Sequence, residues 1–169
     1  YISVTGVQTC ALPICWLAQF PNLVVTRTFS KAYGLAGLRV GYALGHAAVI
    51  DLMNRVRQPF NVNSISLAAA AAALGDHDFV RRSFELNALG MKQLTQGLGK
   101  LGLSYIPSYG NFLSFRAGDA GKVFQQLLQR GVIVRPVAGY GMPEYLRVST
   151  GLESENARFL DALKASLAA

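Results

Sequence analysis

The stretch from Thr28 to Tyr42, Thr-Phe-Ser-Lys-Ala-Tyr-Gly-Leu-Ala-Gly-Leu-Arg-Val-Gly-Tyr, constrains this chain more than any other. The run that enters it, residues 23–29, is rich in β-branched side chains and has the length of a strand. Gly34, Gly37 and Gly41 interrupt any simple continuation, which makes residues 30–38 a loop or short turn at the strand's end. Ligands collect at such ends in open α/β sheets, so the stretch sets an α/β expectation and marks where chemistry should be sought.

That chemistry rests on Lys31, with Ser30 directly before it and Arg39 beyond the glycines. A Ser-Lys pair alone is a solvated surface feature, because lysine is nearly always exposed. Partly desolvated and near other cationic groups, a lysine amine instead attacks carbonyls and forms Schiff bases. Pyridoxal phosphate is the commonest partner for that reaction, its ring being an electron sink for carbanions. The cofactor's phosphate needs donors of its own. Ser30 offers a hydroxyl, Arg39 a planar fork suited to phosphate oxygens, and Thr28 a second hydroxyl.

Taken together, these residues resemble the cofactor-lysine signature of fold-type I pyridoxal-phosphate aminotransferases, in the branch that contains the histidinol-phosphate aminotransferases. Four further segments resemble that branch in the same order: Arg57-Gln58-Pro59-Phe60-Asn61-Val62-Asn63-Ser64, Gly110-Asn111-Phe112-Leu113, Gly131-Val132-Ile133-Val134-Arg135, and Tyr145-Leu146-Arg147-Val148-Ser149-Thr150-Gly151. The resemblance covers residues 16–169. It implies the end of a fold-type I large domain followed by a small α+β C-terminal domain. It further implies Lys31 as cofactor tether and general acid/base, and a homodimeric, cytoplasmic enzyme of histidine biosynthesis. The reaction implied moves an amino group between L-histidinol phosphate, a phosphorylated amine, and the 2-oxo acid 2-oxoglutarate. Aromatic amino acid aminotransferases and threonine-phosphate decarboxylases share the lysine signature and stay open. A non-catalytic binding domain is the alternative of another class.

Composition removes several other classes. Half of the residues are apolar and 15% are charged, which suits a globular domain with a core rather than a disordered chain. The net charge of +7 would suit a nucleic-acid partner, but the basic residues are dispersed and only Arg81 and Arg82 adjoin. The apolar, alanine-rich run at residues 65–74 is too short for a bilayer and reads as a buried helix. Cys10 and Cys15, without histidines nearby, make neither a zinc site nor a disulfide framework, and suit a reducing compartment.

No charged residue precedes Arg27, and no Asp or Glu precedes Asp51. The resemblance places upstream of the lysine an aspartate that pairs with the pyridine nitrogen and a tyrosine that supports the ring oxygen; neither has a counterpart here. Residues 1–15 also lack the basic start and small-residue cleavage site of an export signal. We therefore expect residues 1–15 to be a foreign leader, residues 16–75 a remnant of the large cofactor-binding domain, and residues 76–169 a linking helix and small domain. The chain alone is expected to be inactive or unstable.

Along the remainder, strands are expected at residues 23–28 and 39–44, a helix at 47–57, and a second helix capped by Ser64 and stopped by Gly75. A long helix follows to about residue 101, capped by Asp78, with Phe79, Val80, Phe84, Leu86, Leu89 and Leu94 as its apolar face. Then come strands at 103–106 and 112–116, a helix at 120–130, strands at 132–135 and 145–149, and a closing helix at 153–167 with Thr150 and Glu153 as capping box.

Arg135 and Arg147 each emerge from an apolar strand, where a guanidinium seeks a bidentate anion such as a phosphate or carboxylate. A lone strand arginine is commonly a structural pair; the resemblance assigns both to the substrate, with Asn111 and Tyr109 flanking the same cleft. Asn61 and Asn63 either fix their loop or touch ligand. His46 and His77 read as surface residues, and no metal site is expected.

Overall fold

The computed structural model describes residues 14–168. Apart from Ile14 and Cys15, the expected leader lies outside the described residues. The described chain divides into two compact units, one up to Phe84 and one from Glu85.

The N-terminal unit is built on an antiparallel ribbon of β1 (Val24–Thr28) and β2 (Gly41–Gly45), registered from Val24 opposite Gly45 to Thr28 opposite Gly41. The second strand starts two residues later than expected because Arg39 has φ 52°, a left-handed conformation that ends any extended run. Helix α1 (Ala47–Val56) follows, opened by His46, whose Nδ1 accepts the Ala48 N–H at 3.3 Å. Helix α2 (Ser64–Gly75) is capped by Asn63 rather than Ser64: Asn63 is extended and its side chain accepts the Ser66 N–H at 2.8 Å, whereas Ser64 is already helical.

Phe29, Val40 and Ala70 form the small core of this unit, with Tyr33, Leu35, Leu38 and Val62 packed against it. Only one side of α2 reaches that core. Ser66 and Ala70 are buried, while Ile65, Leu67 and Leu74 are exposed, so the alanine-rich helix is half-covered rather than buried.

Helix α3 (His77–Lys100) runs through the division between the units. Its first turn is capped by Asp76, which accepts the Phe79 N–H at 2.9 Å; Asp78 lies within the helix and pairs with Arg81. Of the expected apolar face, Leu94 is fully buried, joined by Leu98, but Leu86 and Leu89 are exposed.

The C-terminal unit is a four-stranded antiparallel sheet, β3 (Tyr105–Ile106), β4 (Phe112–Arg116), β5 (Arg135–Pro136) and β6 (Tyr145–Ser149), in the order β3-β4-β6-β5. Helices α4 (Ala120–Gln129) and α5 (Glu153–Leu167) complete it. Leu113, Phe115, Leu127, Leu146 and Leu163 are entirely buried with Leu94 and Leu98. The strand expected at residues 132–135 shrinks to Arg135 and Pro136. Gly131, at φ 72°, closes α4 in a Schellman arrangement: its N–H donates to the Leu128 carbonyl and the Val132 N–H to that of Leu127, both at 2.9 Å. Val132 is thereby committed to the helix end.

The start of α5 also differs from expectation. The Glu155 carboxylate accepts the Leu152 N–H at 2.8 Å, and buried Asn156 accepts from the Gly151 N–H at 2.9 Å while donating to its carbonyl at 3.2 Å. Thr150 turns its hydroxyl elsewhere. Among the described residues, no helix is long and apolar enough to cross a membrane.

Phe115 lies edge-on to Phe159 with ring centroids 5.8 Å apart. Its replacement by alanine should cost the C-terminal unit about 3–5 kcal/mol, read as a lower urea midpoint at unchanged slope.

Candidate functional site

Residues 30–39 leave and re-enter the ribbon through one backbone hydrogen bond, from the Phe29 N–H to the Val40 carbonyl at 3.2 Å. Ser30 and Arg39 therefore stand at the two ends of the loop's neck. Just beyond it the strands come unusually close: a Cβ on Gly41 would lie 2.6 Å from the Arg27 carbonyl oxygen, so only glycine fits. Phe29 is buried beneath the neck, its ring 4.9 Å from Tyr33 and 6.0 Å from Tyr42. Within the loop, the Gly34 N–H closes a tight turn on the Lys31 carbonyl, and the Leu35 N–H donates to Phe29, both at 2.9 Å.

The polar groups of the neck are largely unspent. The Thr28 hydroxyl oxygen accepts the Ser30 N–H at 3.0 Å, leaving its own hydrogen available. Half-buried Ser30 directs its hydroxyl to no partner among the described residues. Arg39 donates to the Ala36 carbonyl at 3.0 Å and has no carboxylate; the ion pairs among the described residues are Arg55–Asp51, Arg81–Asp78 and Arg116–Glu144. Lys31 is exposed rather than partly desolvated, with Ala32 and Gly34 exposed beside it. A hydroxyl without a protein acceptor and a guanidinium that spends one donor on a carbonyl and none on a carboxylate, in the same loop as Lys31, are of the kind a phosphorylated aldehyde requires.

In the C-terminal unit the register places Ile106, Ser114, Arg147 and Arg135 in one row across all four strands. Directly opposite residues of antiparallel strands share a face, so both arginines lie on the same side of the sheet. Like charges placed so are mutually destabilising. Arg147 is half-buried, with its guanidinium carbon 4.6 Å from the centre of the Phe112 ring; Arg135 is exposed. The third arginine of this face, Arg116, is matched by Glu144 at 2.9 Å, but Arg135 and Arg147 have no carboxylate among the described residues.

Asn111 is exposed, and its carbonyl accepts the Thr150 N–H at 2.9 Å; Tyr109, 77% exposed, lies on the same connection before β4. This connection is held by Asn87, which the sequence did not single out, and by Thr150, which it assigned to a capping box instead. Asn87 of α3 donates to the Gly110 carbonyl at 3.1 Å and accepts the Thr150 hydroxyl at 2.9 Å. Asparagine is a poor helix former, so its place inside a long helix was the available signal. Thr150→Val removes the hydroxyl and strands the Asn87 oxygen. We expect a loss of about 1–3 kcal/mol and faster exchange of the Thr150 amide with solvent, measured by hydrogen–deuterium exchange.

Comparison with known proteins places these features in a family. The model for aminotransferase class I and II matches residues 3–163. Histidinol-phosphate aminotransferase of Methylobacillus flagellatus is 68% identical over 149 residues, 88% of this chain and 40% of that protein. Histidinol-phosphate aminotransferase 1 of Dechloromonas aromatica is 64% identical over 152 residues, 90% of this chain and 42% of its relative. Among solved structures, histidinol-phosphate aminotransferase from Sinorhizobium meliloti in complex with pyridoxal-5'-phosphate superposes with a TM-score of 0.79 at 31% identity, over 88% of this chain and 42% of that one. The chain thus spans about two fifths of the length of the relatives it matches.

Proposed function

The chain belongs to the class I and II aminotransferases, and from that premise we propose that it is part of a pyridoxal-phosphate enzyme that transfers an amino group between L-histidinol phosphate and 2-oxoglutarate. Its close relatives are named histidinol-phosphate aminotransferases. The observation that carries the reading is the loop neck, where Ser30 has an unpartnered hydroxyl and Arg39 a guanidinium with no carboxylate, in the same loop as Lys31. In the proposal Lys31 tethers the cofactor through Nζ, while Ser30, Thr28 and Arg39 take its phosphate. Bound there, pyridoxal phosphate supplies an electron sink for charge developing on the substrate carbon.

With a substrate amine in place, Nζ of Lys31 would accept the proton from the carbon that bears that amine. Arg135 and Arg147 receive the anionic end of the substrate, a phosphate or a carboxylate, which relieves the repulsion built into their row. Asn111 and Tyr109 border that end. We assign the complete enzyme to the cytoplasm as a homodimer, and we take residues 16–75 and 76–169 as its large-domain remnant and small domain. We further propose that the chain alone captures the cofactor without turning over.

Borohydride reduction in the presence of pyridoxal phosphate should leave one phosphopyridoxyl group on Lys31, found by peptide mass mapping. Lys31→Ala should leave none, and labelling spread evenly over other lysines would sink the assignment. In the complete enzyme, Arg147→Gln should lower kcat/KM for histidinol phosphate about 10-fold to 100-fold, on the scale of charge-assisted hydrogen bonds, and spare unphosphorylated histidinol. Equal losses for both substrates would remove Arg147 from phosphate recognition.

A further inference from the structure

Ser66 is a polar side chain with no exposed surface, set in a helix otherwise dominated by alanine. A helical serine commonly turns its hydroxyl back to the carbonyl one turn earlier. Ser66 does not. Its backbone N–H is taken by the Asn63 side chain at 2.8 Å, and its hydroxyl crosses to the lysine loop and donates to the Leu38 carbonyl, also at 2.8 Å.

Leu38 is the last residue of the 3-10 turn Ala36–Leu38, and its carbonyl belongs to the peptide that leads into Arg39. Arg39 follows at φ 52°, a conformation that a branched, bulky L-residue adopts only where its surroundings impose it. Two bonds are available to impose it. One joins the Phe29 N–H to the Val40 carbonyl on the far side of Arg39, and the other is Ser66 to Leu38 on the near side. The Ser66 bond holds the peptide that enters Arg39, and the Phe29 bond holds the carbonyl of the residue after it, so the backbone at Arg39 is restrained on both sides.

We propose that Ser66 is a positioning residue for cofactor binding: by holding the Leu38 carbonyl it sets Arg39 to receive the phosphate. This rests on the reading of Arg39 as a phosphate donor. Ser66 touches neither cofactor nor substrate in this scheme and acts only through Arg39. A merely structural hydrogen bond would lower stability and weaken every ligand alike. A positioning bond makes a narrower demand, because the loss must fall on the phosphate.

The test compares two aldehydes on the whole 169-residue chain, pyridoxal phosphate and pyridoxal, which lacks the phosphate. Borohydride trapping at Lys31 is followed by mass mapping, with half-saturating concentrations giving a preference ratio. The wild-type chain should favour the phosphorylated aldehyde, and Arg39→Ala should erase most of that preference. Ser66→Ala should reduce it about 5-fold to 10-fold, the size of one hydrogen bond, and Ser66→Ala combined with Arg39→Ala should add nothing to Arg39→Ala alone. If Ser66→Ala unfolds the chain by circular dichroism, Ser66→Thr and Ser66→Val carry the same comparison. They match in shape and differ in the hydroxyl, and only the threonine variant should keep the preference.

A ratio unchanged by Ser66→Ala, or equal in the threonine and valine variants, while Arg39→Ala erases it, overturns the positioning role alone. A ratio that Arg39→Ala leaves intact, or a wild-type chain indifferent to the phosphate, overturns the phosphate reading of Arg39 and this inference with it.

Discussion

Along β4 and β6 side chains alternate between two environments, and that alternation governs the C-terminal unit. Leu113 and Phe115 on one strand and Leu146 and Val148 on the other are buried in the core. Parity then sends Phe112, Ser114, Arg116, Tyr145, Arg147 and Ser149 to the opposite face. A slip of one residue would bring Arg147 inward and expose Leu146, a loss that no single surface contact could offset. The row of arginines is thus placed by the aliphatic side chains behind it. Pro136 on the edge strand β5, which lacks an N–H, suits the end of such a sheet.

This placement leaves an electrostatic tension that the unit only partly resolves. Arg116 has Glu144, and Arg147 has the face of Phe112, which attracts a guanidinium through the ring quadrupole. Neither device cancels the repulsion between Arg147 and Arg135. Two neighbouring cations held by strand register form a site whose free energy falls when an anion bridges them, and a forked guanidinium suits phosphate or carboxylate geometry. In the N-terminal unit the neck of the lysine loop works by a different route. There the strands are pinched at Gly41, and the residues that carry hydroxyl and guanidinium donors stand at the two sides of the neck.

Strand and helix order was legible because period and composition agree with tertiary packing in most segments. β1, β4, β6 and α5 were readable from β-branched runs and apolar spacing. Caps were less legible. Asn63, Asp76 and Glu155 each lie near a residue of similar chemistry, Ser64, Asp78 and Glu153, and only the backbone conformation decides which carries the bond. The β5 strand was over-read because residues 132–134 are as β-prone as any in the chain, yet Val132 is claimed by the Schellman closure of α4. For the candidate site, Ser30, Lys31 and Arg39 were visible as a motif, and the two arginines as strand residues. Asn87 and Ser66 were not, and Thr150 was read only as a cap, since each acts through a partner more than twenty residues away in sequence.

The N-terminal unit separates two requirements that covalent cofactor chemistry joins. The residues proposed as phosphate donors adjoin a neck closed by a backbone hydrogen bond and underlain by Phe29, so the backbone that carries them needs no ligand to order it. Its lysine lies within the open part of the loop, flanked by exposed Ala32 and Gly34. Capture demands only the first arrangement together with a reachable amine, because a held phosphate raises the local concentration of the aldehyde at Lys31. Catalysis demands more: the ring must be gripped on both faces and shielded from water, and such orientation supplies much of the rate. On the proposed reading, a loop with an ordered neck and an uncovered lysine would meet the first demand and leave the second open, and binding and turnover would be separable in this unit.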